Sequence, residues 1–298
     1  MSKTWLITGT SSGFGRLLTE KLLARGDTVV ATVRRPAALD DLADRHGARL
    51  IVRRLDVADT AGLRTTADAA FEVAGRIDIV VSNAGYALFG AAEEASDAQV
   101  ERQVATNLVG AIQLIRACLP HLRRQGGGRI VQISSEGGQI AYPGFSLYHA
   151  TKWGIEGFVE AVAQEVAPFG IDFLLVEPGP TETGFRAGLD RTTPMPAYAA
   201  TPAGDVRRAV DGGGFVLTGD AAKGADAIIA AADAERPPLR LVLGSTAYHT
   251  IARALDARRA ALEEQRSVAL AADVDGMAAT RSERPAPPVA TEGPIGEA

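Results

Sequence analysis

Short, nearly continuous apolar runs alternate along this chain with longer stretches in which apolar residues recur every third or fourth position. The runs at 5–8, 28–33, 49–53, 77–82, 129–134, 171–177 and 239–243 predict β-strands. Most are apolar at almost every position rather than every second one, as in strands covered by helices on both sheet faces. Between them, 13–25, 59–74, 97–124, 148–168 and 246–266 carry the period of amphipathic helices. This β-α alternation predicts an α/β fold with a seven-stranded parallel sheet, right-handed crossovers and flanking helices, hence a doubly wound domain.

Two regions break the rhythm. Residues 184–214 are rich in Gly, Pro, Thr and Ala, and Pro194, Pro196 and Pro202 speak against a regular helix there. So long an irregular segment in a compact domain predicts a lid or substrate-binding loop. From 267 to 298 the chain lacks aromatic residues and periodicity and turns rich in proline, which predicts a disordered tail after a domain spanning 1–266.

Composition narrows the function classes. At 298 residues, 46% hydrophobic and 22% charged, the chain has ample length for a large core. The net charge is 31 − 36 = −5 with no concentrated basic run, which argues against nucleic acid or an anionic membrane as partner. The single cysteine, Cys118, excludes an internal disulfide and sits in an apolar run that predicts a buried thiol. His46, His121, His149 and His249 show no ligand spacing, so no metal site is expected. No secretory signal is visible at the start and no run approaches a membrane span, so a cytoplasmic location is the expectation.

The first chemical signal is Thr8-Gly9-Thr10-Ser11-Ser12-Gly13-Phe14-Gly15, directly after the first strand and opening the first helix. Glycines there let the backbone turn tightly, approach a phosphate and pack helix on sheet. The helix N-terminus offers free N–H groups and partial positive charge to a pyrophosphate, and Ser11 and Ser12 add hydroxyls. Such a turn predicts a dinucleotide in a Rossmann domain. The second strand ends Ala31-Thr32-Val33-Arg34-Arg35 with no carboxylate before Asp40. Arg34 suits a 2′-phosphate and points to NADP(H); a solvent-facing Arg34 would leave NAD(H) as the alternative.

The second signal is Tyr148 and Lys152, one helical turn apart, with Ser135 thirteen residues before the tyrosine. An ammonium beside a phenol favours the phenolate and makes a proton donor and acceptor usable for carbonyl chemistry. Together with Asp56-Val57, Asn83-Ala84-Gly85, Asn107 and Pro178-Gly179 followed by Thr181 and Thr183, these pieces stand in register. In order and spacing the chain resembles the short-chain dehydrogenase/reductase family, in its hydroxysteroid/retinol dehydrogenase-like branch, over about residues 3–266.

The resemblance implies a ketone reductase or alcohol dehydrogenase acting on a hydrophobic small molecule. Asn107, Ser135, Tyr148 and Lys152 would be catalytic: Tyr148 as acid/base, Ser135 on the substrate oxygen, Asn107 holding a water that links Lys152 to solvent. Gly9, Ser11, Ser12, Gly13, Phe14, Gly15, Arg34, Asp56, Val57, Asn83, Ala84, Gly85, Tyr148, Lys152, Pro178, Gly179, Thr181 and Thr183 would bind the cofactor. Asp56 and Val57 would meet the adenine, Asn83 the ribose region and Thr183 the carboxamide. A homodimer or homotetramer through helices 99–124 and 153–168 is expected by the same token. Ser134 is expected to face away from the site and His149 to lie at the surface or an interface, while Tyr142, Phe145, Phe185, Met195 and Tyr198 are pocket candidates. A nucleotide-sugar epimerase needs a larger C-terminal domain, and a silent NADP(H)-binding regulator typically loses the tyrosine or lysine kept here.

Overall fold

The structure is a computed structural model that describes residues 2–184, 188–214 and 216–274. In chain order the helices and strands are β1 (Thr4–Thr8), α1 (Gly13–Arg25), β2 (Thr28–Val33), α2 (Asp40–His46), β3 (Leu50–Arg54), α3 (Thr60–Ala74), β4 (Ile79–Ser82), β5 (Leu88–Phe89) and α4 (Asp97–Val104). After a π-helical turn (Ala105–Val109) follow α5 (Gly110–Arg124), β6 (Gly128–Ile133), α6 (Ser146–Val166), β7 (Ile171–Pro178), β8 (Asp190–Arg191), α7 (Pro202–Asp211), α8 (Ala221–Asp233), β9 (Arg240–Leu243), α9 (Ser245–Glu264) and α10 (Arg266–Ala271). Seven strands form one sheet in the order β3-β2-β1-β4-β6-β7-β9, parallel throughout, and β5 pairs with β8 separately. The order reverses between β1 and β4. That switch point leaves a crevice at the carboxyl ends of the strands, where ligands bind in such folds.

The alternation of strand side chains splits the core into two layers. Leu6, Val30, Val80, Ile130 and Leu175 face α3, α5 and α6, joining Leu63, Phe71, Ile115, Cys118, Ile155 and Val159. Trp5, Ile7, Val29, Val81, Val131 and Val176 face the other way, onto Leu18, Leu22, Leu42 and Ile228 of α1, α2 and α8. Neighbours in sequence thus serve opposite faces, which is why the strands read as unbroken apolar runs. Each fully buried Leu, Ile or Val is worth roughly 1.5–3 kcal/mol. Cys118 is buried as expected, and burial pushes its thiol up to about 12.

Four features depart from the sequence reading. Helix α2 arises in a stretch whose one buried residue, Leu42, is too little signal to show periodicity. Helix α7 forms inside the segment expected to be irregular, because Pro202 occupies its first turn, where the missing N–H is no loss. Helix α8 was not anticipated: its buried face is mostly Ala and Gly, and its start is capped by Asp220, which accepts from the N–H groups of Ala222 (2.8 Å) and Lys223 (3.0 Å). Finally, the region from 267 begins in helix α10, and residues 275–298 lie outside those described. A first compact unit spans Met1–Ala252 and a second begins at Arg253. Among the described residues no helix is long and apolar enough to cross a membrane.

Candidate active site

A cleft of about 800 Å³ opens at the switch point. One wall is the turn between β1 and α1. Gly9 has φ +71°, and a Cβ there would stand 2.9 Å from Ala84 Cα; a Cβ on Gly15 would come within 2.3 Å of the Gly9 carbonyl oxygen. Both positions need glycine for close approach. Gly15 accordingly serves packing and does not line the cleft, whereas Gly9, Ser11, Ser12, Gly13 and Phe14 do. Ser12 precedes α1 in extended conformation and makes no side-chain cap, which leaves the first-turn N–H groups and the positive end of the helix free for an anion.

Asn83 at the end of β4 is committed locally. Its Nδ2 donates to the carbonyls of Thr8 (2.8 Å) and Gly9 (3.1 Å), while the Thr8 hydroxyl accepts from the N–H groups of Asn83 (3.0 Å) and Ala84 (3.1 Å). The motif therefore stitches β1 to β4 across the switch point. Farther along, Asp56, Val57, Ala84, Gly85, Pro178, Gly179, Thr181 and Thr183 all line the cleft. Thr181 donates to the Gly179 carbonyl (2.9 Å). Arg34 sits exposed at the end of β2 on the same cleft and has no side-chain partner among the described residues.

The deeper wall comes from β6 and α6. Tyr148 and Lys152, each 7% exposed, occupy successive turns of one helix face, with Lys152 Nζ 5.6 Å from the phenol ring centroid. Lys152 donates to the Ile133 carbonyl (2.9 Å), and the Ser135 hydroxyl is a hydrogen-bond partner of the Tyr148 phenol. The Ser135 oxygen also accepts from the Gly137 N–H (3.0 Å). Asn107 stands off the cleft, in the π turn that interrupts what otherwise reads as one helix from 97 to 124. Such single π turns often accompany functional sites. Its amide brackets Tyr86, accepting from that residue's N–H (3.1 Å) and donating to its carbonyl (2.7 Å), with Thr151 Oγ1 at 3.5 Å.

Burial dominates the electrostatics. It pushes the Tyr148 phenol up to about 12, with Ser135 opposing and Glu136 and Glu156 adding to the rise. It pushes Lys152 down to about 8, against the pull of Glu156. Lys152 is expected to favour the phenolate by its charge, with the oxidised nicotinamide adding a second; burial acts on Tyr148 in the opposite sense and favours the protonated phenol.

Tyr142, Phe145, Leu189, Val210 and Leu217 form an apolar part of the lining. Phe145 packs on Phe89 at 4.8 Å between centroids. Met195 and Tyr198 do not line it: the Met195 N–H donates to Glu94 (2.8 Å) and the Tyr198 hydroxyl to Glu93 (2.7 Å), fastening this stretch of chain. Phe185 lies outside the described residues. His149, expected at the surface or an interface, is buried beneath the Ser135 loop. Its Nδ1 meets the Gly137 carbonyl (3.0 Å) and its Nε2 accepts from the Tyr142 N–H (3.3 Å), which fixes the Nδ1–H tautomer. Burial also holds its pKa down, against the Gly137 hydrogen bond. The local reading failed because two backbone groups of the preceding loop, seven and twelve residues away, recruit the ring inward.

Three polar centres had no local signal. Glu136, next to Ser135, is buried and lines the cleft. Glu156, one turn beyond Lys152, accepts from Ser134, Gln139 (3.0 Å) and Arg240 (2.5 Å), and Arg240 also binds Glu177 and Glu160. Ser134 binds Glu156 and Ser135 meets Tyr148, yet both residues line the cleft, so Ser134 does not stand away from it as expected. Glu94, with no exposed side-chain surface, accepts from Ala91 N–H (2.8 Å), Met195 N–H, Thr192 Oγ1 (3.0 Å) and Arg207. Burial raises its pKa, but these donors outweigh burial and hold it below the ordinary carboxylate range. Replacing Glu94 by Ala strands Arg207 and releases Thr192 and Met195, with an expected loss of about 3–5 kcal/mol. Thermal melts and faster trypsin cleavage after Arg207 and Arg208 would register it.

Comparison with known proteins agrees with this geometry. The sequence model of the short chain dehydrogenase family matches residues 3–194. Oxidoreductase BOA17 of Botryotinia fuckeliana is 36% identical over 273 residues, covering 91% of this chain and 99% of that protein. A short-chain dehydrogenase structure from Streptomyces avermitilis superposes with a TM-score of 0.85 at 42% identity, covering 91% of this chain and 98% of the other. A Burkholderia phymatum short chain dehydrogenase/reductase in complex with NAD gives a TM-score of 0.71 at 25% identity, covering 84% and 92%. This chain is an oxidoreductase of the short-chain dehydrogenase family.

Proposed function

We propose that this protein reduces a hydrophobic ketone to a secondary alcohol with NADP(H), using Tyr148 as the proton donor. The observation that carries the reading is the convergence of Ser135, Tyr148 and Lys152 on one wall of a cleft whose opposite wall is an uncapped helix N-terminus. Gly9, Ser11, Ser12 and Gly13 would cradle the pyrophosphate, and Arg34, free of other partners among the described residues, would hold the 2′-phosphate. Asp56 and Val57 would take the adenine side; Thr181 and Thr183 would take the nicotinamide side. When bound, the reduced nicotinamide supplies the hydride. Ser135 Oγ–H orients the carbonyl oxygen and stabilises charge arising on it. Tyr148 Oη–H then hands over its proton, and Lys152, held by the Ile133 carbonyl, offers positive charge to the phenolate left behind. Asn107, on its bracket around Tyr86, would position a water for reprotonation.

A phenol that holds its proton at neutral pH supports the reductive direction. The apolar part of the lining supports a hydrophobic substrate of the hydroxysteroid or retinol class. Val109 and Trp153, exposed on the π turn and α6, support a homo-oligomer built through those helices, and a cytoplasmic location goes with the reading. NAD(H) is the second reading, favoured by the NAD in the Burkholderia phymatum relative. Titration of both cofactors distinguishes them. Arg34→Ala is expected to weaken NADPH binding about 10- to 100-fold, the worth of a charge-assisted hydrogen bond, and to leave NADH binding nearly unaltered. Equal effects on both cofactors would assign Arg34 no part in the choice. Turnover of a ketone panel with NADPH tests the activity itself.

A further inference from the structure

Resting on the reductase reading, we infer that Glu136 makes the site selective for hydroxyketones, carbonyl compounds with a hydroxyl close to the reacting carbon. Glu136 follows Ser135 directly and, like Ser135 and Tyr148, lines the cleft. Only 4% of the residue is exposed. One carboxyl oxygen, Oε2, accepts from Thr250 Oγ1 (2.9 Å); the other, Oε1, has no hydrogen-bond partner among the described residues. Thr250 does not need the carboxyl, because its hydroxyl also lies 2.8 Å from the Thr246 carbonyl on its own helix.

Three other polar groups of the cleft are occupied, while the Tyr86 hydroxyl, also on its lining, has no hydrogen-bond partner among the described residues. Ser134 is bound to Glu156, Lys152 to Ile133, and Arg102 to Asp190 at 2.9 Å. A purely apolar ketone seated in the cleft against Tyr142 and Phe145 would strip water from Oε1 and give nothing in return, which is unfavourable. A substrate hydroxyl would donate to it. Burial pushes the Glu136 carboxyl above the ordinary range, with Thr250 opposing, but Oε1 accepts a hydrogen bond in either protonation state. The cations on the same cleft, Arg34, Arg102 and Lys152, argue against an ammonium in place of the hydroxyl.

Benzoin and deoxybenzoin differ by a single hydroxyl next to the ketone and form a suitable probe pair. With the full chain and NADPH, kcat/KM is expected to favour benzoin by about 10- to 100-fold, the range of one hydrogen bond to a carboxyl. Calorimetric titration of both ketones into the NADP⁺-loaded protein is expected to show the same preference. Glu136→Leu should bring both ratios close to one, and Glu136→Gln, whose amide oxygen also accepts, should retain most of the preference. If the leucine variant does not fold, Glu136→Met carries the same comparison. Ratios near one in the unmodified protein overturn the inference, as does a leucine variant that slows both ketones in proportion. A binding preference without turnover of either ketone supports the role of Glu136 and overturns the reductase reading instead.

Discussion

Tyr148→Phe is expected to slow NADPH-dependent ketone reduction by about 10²- to 10⁴-fold, the usual worth of a positioned general acid, with NADPH affinity nearly intact. The reason lies in what the substitution removes. The ring is buried at the base of the cleft and packs near Phe145 at 6.3 Å between centroids, so phenylalanine keeps the packing and loses only the hydroxyl. Ser135 would still meet the carbonyl oxygen, but the phenol that hands over the proton would be gone. Fluorescence titration of NADPH alongside turnover separates the two effects, and full activity in the variant would refute the assignment. The pH dependence carries a sign as well. Lys152 titrates near 8 and Tyr148 near 12, so reduction should hold through neutrality and decline above about pH 8, as the ammonium loses its proton while the phenol keeps its own.

The second large effect is on stability. Arg240→Leu leaves Glu156 and Glu177, both buried, without the guanidinium that binds them. Removing one partner of a buried ionic group costs about 3–5 kcal/mol, and at roughly 2–4 °C per kcal/mol for a domain of this size the melting temperature should drop by about 6–20 °C. In the intact protein burial, and then Glu156, push Glu177 above the ordinary carboxylate range while Arg240 opposes them. A carboxyl with a raised folded-state pKa binds its proton more tightly when folded. The associated stability is present at low pH and is lost as pH rises through the folded value. Without Arg240 that loss should steepen, so the variant should approach the parent in acid and fall furthest behind it at alkaline pH. Melts across that range would check it, and a uniform offset would contradict the account.

The two predictions meet in one piece of architecture. Ser134 and Gln139 bracket the Ser135 loop, and both donate to Glu156 on the helix that carries Tyr148 and Lys152. The loop and the helix are therefore tied together behind the reacting groups. Preorganisation of that kind keeps the Ser135 hydroxyl aimed at the phenol rather than at solvent.

How far these features were legible depended on the distance over which each is written. Helix α6 and its Tyr-Lys pair were plain, because four residues make one turn and place both side chains on one face. His149 was misread as a surface or interface residue, and α8 went unseen, since its Ala-rich face gives faint periodicity and acquires meaning only against Phe14 and Leu243. Helix α7 was hidden by prolines read as breakers when Pro202 begins the helix.

What the chain by itself determined is everything set by short periods. That covers seven strands apolar on both faces, a glycine turn that only close backbone approach explains, and a phenol one turn from an ammonium. Only tertiary structure brought Arg240 to Glu156 across 84 positions, gathered Glu94 and Arg207 across 113, and sank Tyr148, Lys152 and Glu136 deep enough to shift their protons. Hydrogen-bonded periods are local properties of a polypeptide, whereas burial and ion pairing depend on which distant strands and helices become neighbours.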